Sequence, residues 1–96
     1  MTRIIRYRTQ LPQAAANEEL VRAVFAELQR TQPGGLSYAV YRREDEFVHL
    51  VKHLAGPSPL LAVQAFGEFQ AGLPGRYAQP PTRTEFQEIA TYQNGL

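Results

Sequence analysis

Hydrophobic and polar positions alternate in two different rhythms along this chain. Residues 3–9, Arg-Ile-Ile-Arg-Tyr-Arg-Thr, are rich in strand formers and alternate roughly with period two. Ile5 and Tyr7 point one way, and Ile4, Arg6 and Arg8 the other. Pro12 closes this strand, since proline cannot donate to a ladder. Residues 14–31 change rhythm. Leu20, Val21, Val24, Phe25 and Leu28 form one helical stripe, with charged residues on the remaining faces. Pro33-Gly34-Gly35 stops that helix.

Residues 36–42 return to period two, and 47–54 repeat it. Arg43-Glu44-Asp45-Glu46 is a charged turn between them, so 36–54 reads as a β-hairpin. Gly56-Pro57-Ser58-Pro59 then announces a helix, with Ser58 as its cap and Pro59 at the first position. Its stripe is Leu61, Ala62, Ala65, Phe66 and Phe69, and it is expected to run to about Ala71. Residues 73–81 are expected to be an irregular connection. Residues 82–92 are expected to be a long fourth strand.

The resulting order is β-α-β-β-α-β. Its physical solution is an α+β, ferredoxin-like fold: a four-stranded antiparallel sheet with two helices on one face. Strands one and three become central, and strands two and four become edges. The helix-free face should then be polar if water covers it. Strands two and three instead carry apolar residues on both sides: Val48 and Leu50 against Phe47 and Val51, Ala39 and Tyr41 against Tyr38 and Val40. A second copy packed sheet against sheet would cover that face, so a two-fold homodimer is expected.

Composition narrows the classes. The 96 residues make one domain, 1–96, with a modest core. There is no cysteine, hence no disulfide, no thiol nucleophile and no cysteine-based metal site. No apolar stretch approaches the ~20 residues of a membrane span. The N-terminal residues, interrupted by charge, do not read as a signal peptide, so a cytoplasmic protein without membrane partners is expected. The net charge is +1 and both signs are dispersed, unlike a nucleic-acid binder. Strand three also lacks the exposed aromatic pattern on which ferredoxin-like RNA-binding domains stack bases. Among the basic residues all but Lys52 are arginine.

The candidate chemistry lies on the strands. His49 and His53 are four apart and share a face, but their Cα atoms would stand about 13 Å apart, too far to ligate one metal. No metal site is expected. His49, nearer the strand centre, is the candidate catalytic residue, as a proton carrier. Arg6 and Arg8 share one face of a central strand. Each needs a carboxylate, water or an anionic ligand. They are read either as ion pairs, to Glu85 or Glu88 of strand four or across the dimer, or as a clamp on a substrate carboxylate or phenolate. Tyr7 and Tyr41 belong to an aromatic set suited to lining an apolar pocket, and His53, on strand three with His49, is a further candidate ligand-binding residue. Ser37 and Ser58 have no acid–base partners at a recognisable spacing.

The βαββαβ order, with the arginine-rich first strand, the helix Glu19–Leu28, Gly35-Leu-Ser-Tyr-Ala39 and Phe47-Val-His-Leu50, resembles the antibiotic-biosynthesis-monooxygenase-like family of the dimeric α+β barrel superfamily. The resemblance spans about residues 3–92. It implies a homodimer whose two sheets form a barrel, with a small aromatic or polyketide-like molecule, or haem, held between sheet and helices. The oxygenases of that superfamily place an Asn, a Trp and a His around substrate. This chain has no Trp. Asn17 and Asn94 fall outside the strands, and its histidines lie on strand three rather than on the second helix. No catalytic residue carries over from that motif, and no obligate cofactor is implied. Two functions remain in competition. One is a small-molecule-binding dimeric barrel acting as a cofactor-independent monooxygenase or isomerase on a small aromatic substrate. The other is a non-catalytic metabolite-binding or interaction module.

Overall fold

The computed structural model describes residues 1–96. Strand β1 (Thr2–Thr9), helix α1 (Ala14–Thr31), strands β2 (Leu36–Arg43) and β3 (Glu46–His53), helix α2 (Gln64–Gly72) and strand β4 (Tyr77–Phe86) follow in order. They build one antiparallel sheet in the order β2-β3-β1-β4 with both helices on one face, so the ferredoxin-like expectation holds. The β2–β3 turn is tighter than a four-residue loop, with Glu44 taking the left-handed conformation at φ 56°.

Two expectations are corrected. The fourth strand is not 82–92 but Tyr77–Phe86. Pro80 and Pro81, which suggested an irregular connection, sit within it because β4 is an edge, which excuses an outward-facing missing N–H, and because the ladder to β1 is interrupted at the two prolines, which excuses the inward-facing one. The pairing slips between Arg6 and Arg8, beside those prolines. Residues 87–96 carry no strand. The second helix is also not continuous from Pro59. A short 3₁₀ turn, Pro59–Ala62, is capped by Ser58 Oγ, which accepts the Leu60 N–H at 3.2 Å. Val63 is then extended at φ −91°, ψ 113°, before α2 begins. That break turns Leu60 and Val63 inward, where both are buried. Glu27 of α1 supplies the start of α2, its carboxylate accepting the N–H groups of Gln64 and Ala65 at 2.9 Å each.

The pairing register sorts every strand residue onto a face. Directly opposed residues share a side of an antiparallel sheet. Tyr7 opposes Phe47, Ile5 opposes His49, and Val40 opposes His49 from the other strand. These residues face the helices. Arg6 opposes Val48 and Arg8 opposes Glu46, so both arginines lie on the outer face. The core lies between sheet and helices, with Tyr7, Val24, Phe47, Val51 and Phe69 among its buried members. Truncating a side chain such as Phe47, 1% exposed, would cost about 3–5 kcal/mol in lost burial and cavity.

Candidate functional site

The core of this chain contains a string of polar side chains. Arg76, just before β4, donates from Nε to Asn17 Oδ1 on α1 at 3.0 Å. Asn17 donates from Nδ2 to the Tyr7 phenol oxygen on β1 at 2.9 Å. That oxygen is 2.8 Å from His49 Nε2 on β3. His49 Nδ1 is in turn 2.7 Å from the Tyr38 phenol oxygen on β2. Asn17, Tyr7, His49 and Arg76 are all buried, and Tyr38 is half-buried. The string thus runs through three strands and a helix, from one edge of the sheet to the other.

The proton positions follow from the donor inventory. A guanidinium only donates, so Asn17 Oδ1 accepts and its amide donates to Tyr7. Tyr7 is 2% exposed, so its own O–H needs a protein acceptor, and His49 Nε2 is the one within reach. His49 must then carry its proton on Nδ1 and donate it to Tyr38. Every donor points the same way, from the Arg76 cation toward Tyr38. The Tyr38 O–H is left without a protein acceptor.

The environment holds these groups in those states. Burial pushes the His49 imidazole down from 6.5 to about 4, so it is neutral at pH 7. Burial raises the Tyr7 phenol to about 12, partly opposed by the Asn17 hydrogen bond and the Arg76 charge. Burial raises Tyr38 as well. Arg76 is lowered by burial. It has no carboxylate partner; the Phe69 carbonyl accepts from Nη2 at 2.8 Å, and the guanidinium carbon lies 5.3 Å from the Phe69 ring centre. Aromatic rings enclose the string. Phe25 stacks on Tyr38 at 4.9 Å, Phe66 meets Tyr38 edge-on at 6.4 Å, and Phe69 lies 5.5 Å from the His49 ring.

Two hollows adjoin it. An open groove of about 520 Å³ runs between α1 and β2, with Tyr38, Phe25, Val40 and Phe47 in its walls. A smaller cavity of about 110 Å³ lies between the sheet and α2, lined by Ile5, Val51, Leu60 and Phe66 with Arg3, His53 and Arg83.

The residues singled out from sequence are therefore divided by the sheet. Tyr7 and His49 are brought together within the core, and His53 lines the smaller cavity with its Nδ1 bonded to the Leu54 carbonyl at 2.7 Å. Arg6, Arg8 and Tyr41 lie on the other face. Arg8 pairs with Asp45 at 3.0 Å and Arg6 stands 3.8 Å from Glu46, in place of the expected Glu85 and Glu88. Those two acids pair instead with Arg3 and Lys52. Tyr41 is 59% exposed. Sequence reasoning reached Tyr38 only as one of the aromatics that could line a pocket, and did not single out Asn17 or Arg76 as site residues. Asn17 had a signal: it stands four residues before Val21 on the apolar stripe of α1, the one polar residue at a buried turn of that helix. Arg76 had none, because its burial depends on where α2 ends.

No protein-family model matches the chain, and no curated protein matches it by sequence. Solved structures do match. A protein of unknown function from Nitrosomonas europaea has a TM-score of 0.73 at 15% identity, over 98% of this chain and 93% of that one. An antibiotic biosynthesis monooxygenase has a TM-score of 0.69 at 16% identity, over 94% of this chain and 100% of its own. SnoaB, a cofactor-independent oxygenase from Streptomyces nogalater, has a TM-score of 0.62 at 17% identity, over 94% and 96%. The chain thus has the α+β fold of the antibiotic-biosynthesis-monooxygenase-like proteins, in agreement with the resemblance drawn from its sequence. None of its helices is long and apolar enough to cross a membrane.

Proposed function

We propose that this protein binds a small aromatic molecule bearing a carbonyl or phenol oxygen, and that Tyr38 stabilises the anionic form of that oxygen. One observation carries the reading: the one-way hydrogen-bond string from Arg76 ends in a Tyr38 O–H with no protein acceptor. Hydrogen bonds in series polarise one another, and a low-dielectric surrounding strengthens them. The bond from His49 Nδ1 polarises the Tyr38 hydroxyl, and burial keeps that hydroxyl protonated, so it remains a donor for an enolate or phenolate. The aromatic walls around Tyr38 fit a flat, apolar partner. Isomerisation and direct reaction with oxygen both pass through such an anion, in keeping with the oxygenase among the structural neighbours. In this reading His49 acts through Tyr38 as a positioning residue.

A specific observation favours the second reading, a non-catalytic binding module. Both His49 ring nitrogens are occupied and its basicity is depressed, so the string supplies no free base. In either case we propose that the protein works as a homodimer. Ile4, Val48, Leu50 and Ala39 leave a half-buried apolar surface on the helix-free face, which a second copy would cover.

Titration with 4-nitrophenol, read by the phenolate absorbance, tests the binding reading. Bound nitrophenol should ionise at lower pH than free nitrophenol, and Tyr38→Phe should remove the shift while the fold persists. Absence of binding, or a shift unchanged in Tyr38→Phe, overturns the reading. Oxygen uptake with an enolisable aryl diketone then separates the oxygenase from the module.

A further inference from the structure

Taken by themselves, the middle members of the polar string can run either way. The Asn17 amide can turn end for end, the Tyr7 and Tyr38 hydroxyls rotate, and a neutral imidazole carries its proton on either nitrogen. Run backwards over the same contacts, Tyr7 would donate to Asn17 Oδ1, His49 Nε2 to Tyr7, and Tyr38 to His49 Nδ1. Tyr38 would then have spent its proton inward and would offer the groove only lone pairs.

Arg76 alone cannot reverse, because a guanidinium has no acceptor. It is also pinned. Nη2 donates to the Phe69 carbonyl at 2.8 Å while Nε donates to Asn17 Oδ1 at 3.0 Å. Gly72 leaves it room, since a Cβ there would stand 2.5 Å from Nη1. In the reversed string Asn17 would turn its amide N–H toward the Arg76 Nε–H, donor against donor. Asn17 is fully buried, so its amide finds no water instead. An unmet buried donor disfavours the reversed direction by about tenfold or more.

We propose that Arg76 and Asn17 are positioning residues that set the polarity of Tyr38, and thereby select ligands that accept a hydrogen bond there over ligands that only donate one. Neither residue lines the groove beside Tyr38; both act through Tyr7 and His49. The ligand selection rests on the reading of Tyr38 given above, while the polarity itself does not.

Asn17→Asp is the decisive variant. A carboxylate only accepts, so it keeps the Arg76 bond, now as an ion pair, and takes the Tyr7 proton as well. The string should then reverse with no buried donor left unmet. Long-range ¹H–¹⁵N spectra at pH 7 should show the His49 proton moved from Nδ1 to Nε2. Arg76→Lys, still only a donor, should keep it on Nδ1. Arg76→Met, with no proton to give, frees the amide to turn and should populate both tautomers; it carries the test if Asn17→Asp does not fold. A merely structural role for the pair predicts Nδ1–H in every folded variant, and that result overturns the proposal. 4-Nitrophenol reads the selection. Asn17→Asp should bind the phenolate at least about tenfold more weakly than wild type, and its bound nitrophenol should ionise at higher pH than free nitrophenol. A reversed tautomer with unchanged phenolate affinity overturns the selection. Failure of wild type to bind nitrophenol overturns the reading of Tyr38 and the selection with it, whereas the tautomer still decides the polarity.

Discussion

His49 Nδ1 and the Tyr38 phenol oxygen stand 2.7 Å apart, and that bond couples a buried residue to a half-exposed one. It lets a charge at Arg76 influence a hydroxyl on the opposite edge of the sheet. It also means that His49 does its work as a neutral donor. Its tautomer is checkable: long-range ¹H–¹⁵N spectra at pH 7 should show Nδ1 protonated and Nε2 bare. The reverse pattern would leave the Tyr7 hydroxyl unpartnered and break the assigned direction of the string.

The depressed basicity of His49 predicts an acid-side loss of stability. An unfolded histidine takes up a proton near 6.5, while the folded one waits until about 4. Between those values the unfolded state holds more protons, so stability rises with pH. The contribution of His49 is fully present above about 6.5 and is lost as pH falls toward 4. The loss is on the order of 3 kcal/mol. Urea midpoints from pH 7.5 to 4, compared between wild type and His49→Phe, should show a shallower slope in the variant.

At alkaline pH the sign reverses. The Tyr7 phenol ionises at about 12 in the fold but near 10 when unfolded. Stability should therefore fall as pH rises through 10. Tyr7→Phe should flatten that fall. The same variant should cost about 1–3 kcal/mol at pH 7, because it leaves the Asn17 amide and His49 Nε2 unpaired in a dry site.

Two glycines of α2 should respond in opposite directions. A Cβ on Gly72 would stand 2.5 Å from Arg76 Nη1, and that guanidinium is held by Asn17 and the Phe69 carbonyl. Gly72→Ala should therefore destabilise by about 1–3 kcal/mol, by forcing overlap or breaking those bonds. Gly67 has open space around it, and Gly67→Ala should stabilise by roughly 0.5–1 kcal/mol through helix propensity. Thermal melts of the two variants measure both effects.

The proposed dimer has a direct test on the helix-free face. Leu50 lies near its middle, opposite Ile4 and Ala39. Leu50→Glu should halve the mass seen by light scattering while leaving the circular dichroism of the fold intact. A monomeric wild type would contradict the dimer.

The sequence determined the order of elements, the central place of β1 and β3, and the apolar stripe of α1. Those features are local: periodicity, caps and turns act within a few residues, and chain connectivity then restricts the sheet order. Tertiary structure decided which side of the sheet each strand shows to the helices. Period two says that Tyr7 and Arg6 point oppositely, yet only the pairing of Tyr7 with Phe47 beneath the helices makes one a core residue and the other an outer one. Likewise Pro80 and Pro81 read as a broken segment, but they are admissible once β4 is an edge whose ladder to β1 slips at that point. The polar string joins residues as far apart as Asn17 and Arg76, whose meeting depends on how the helices dock. A hydrogen bond needs its two groups placed within a few tenths of an ångström, and helix docking supplies that placement where local pattern cannot.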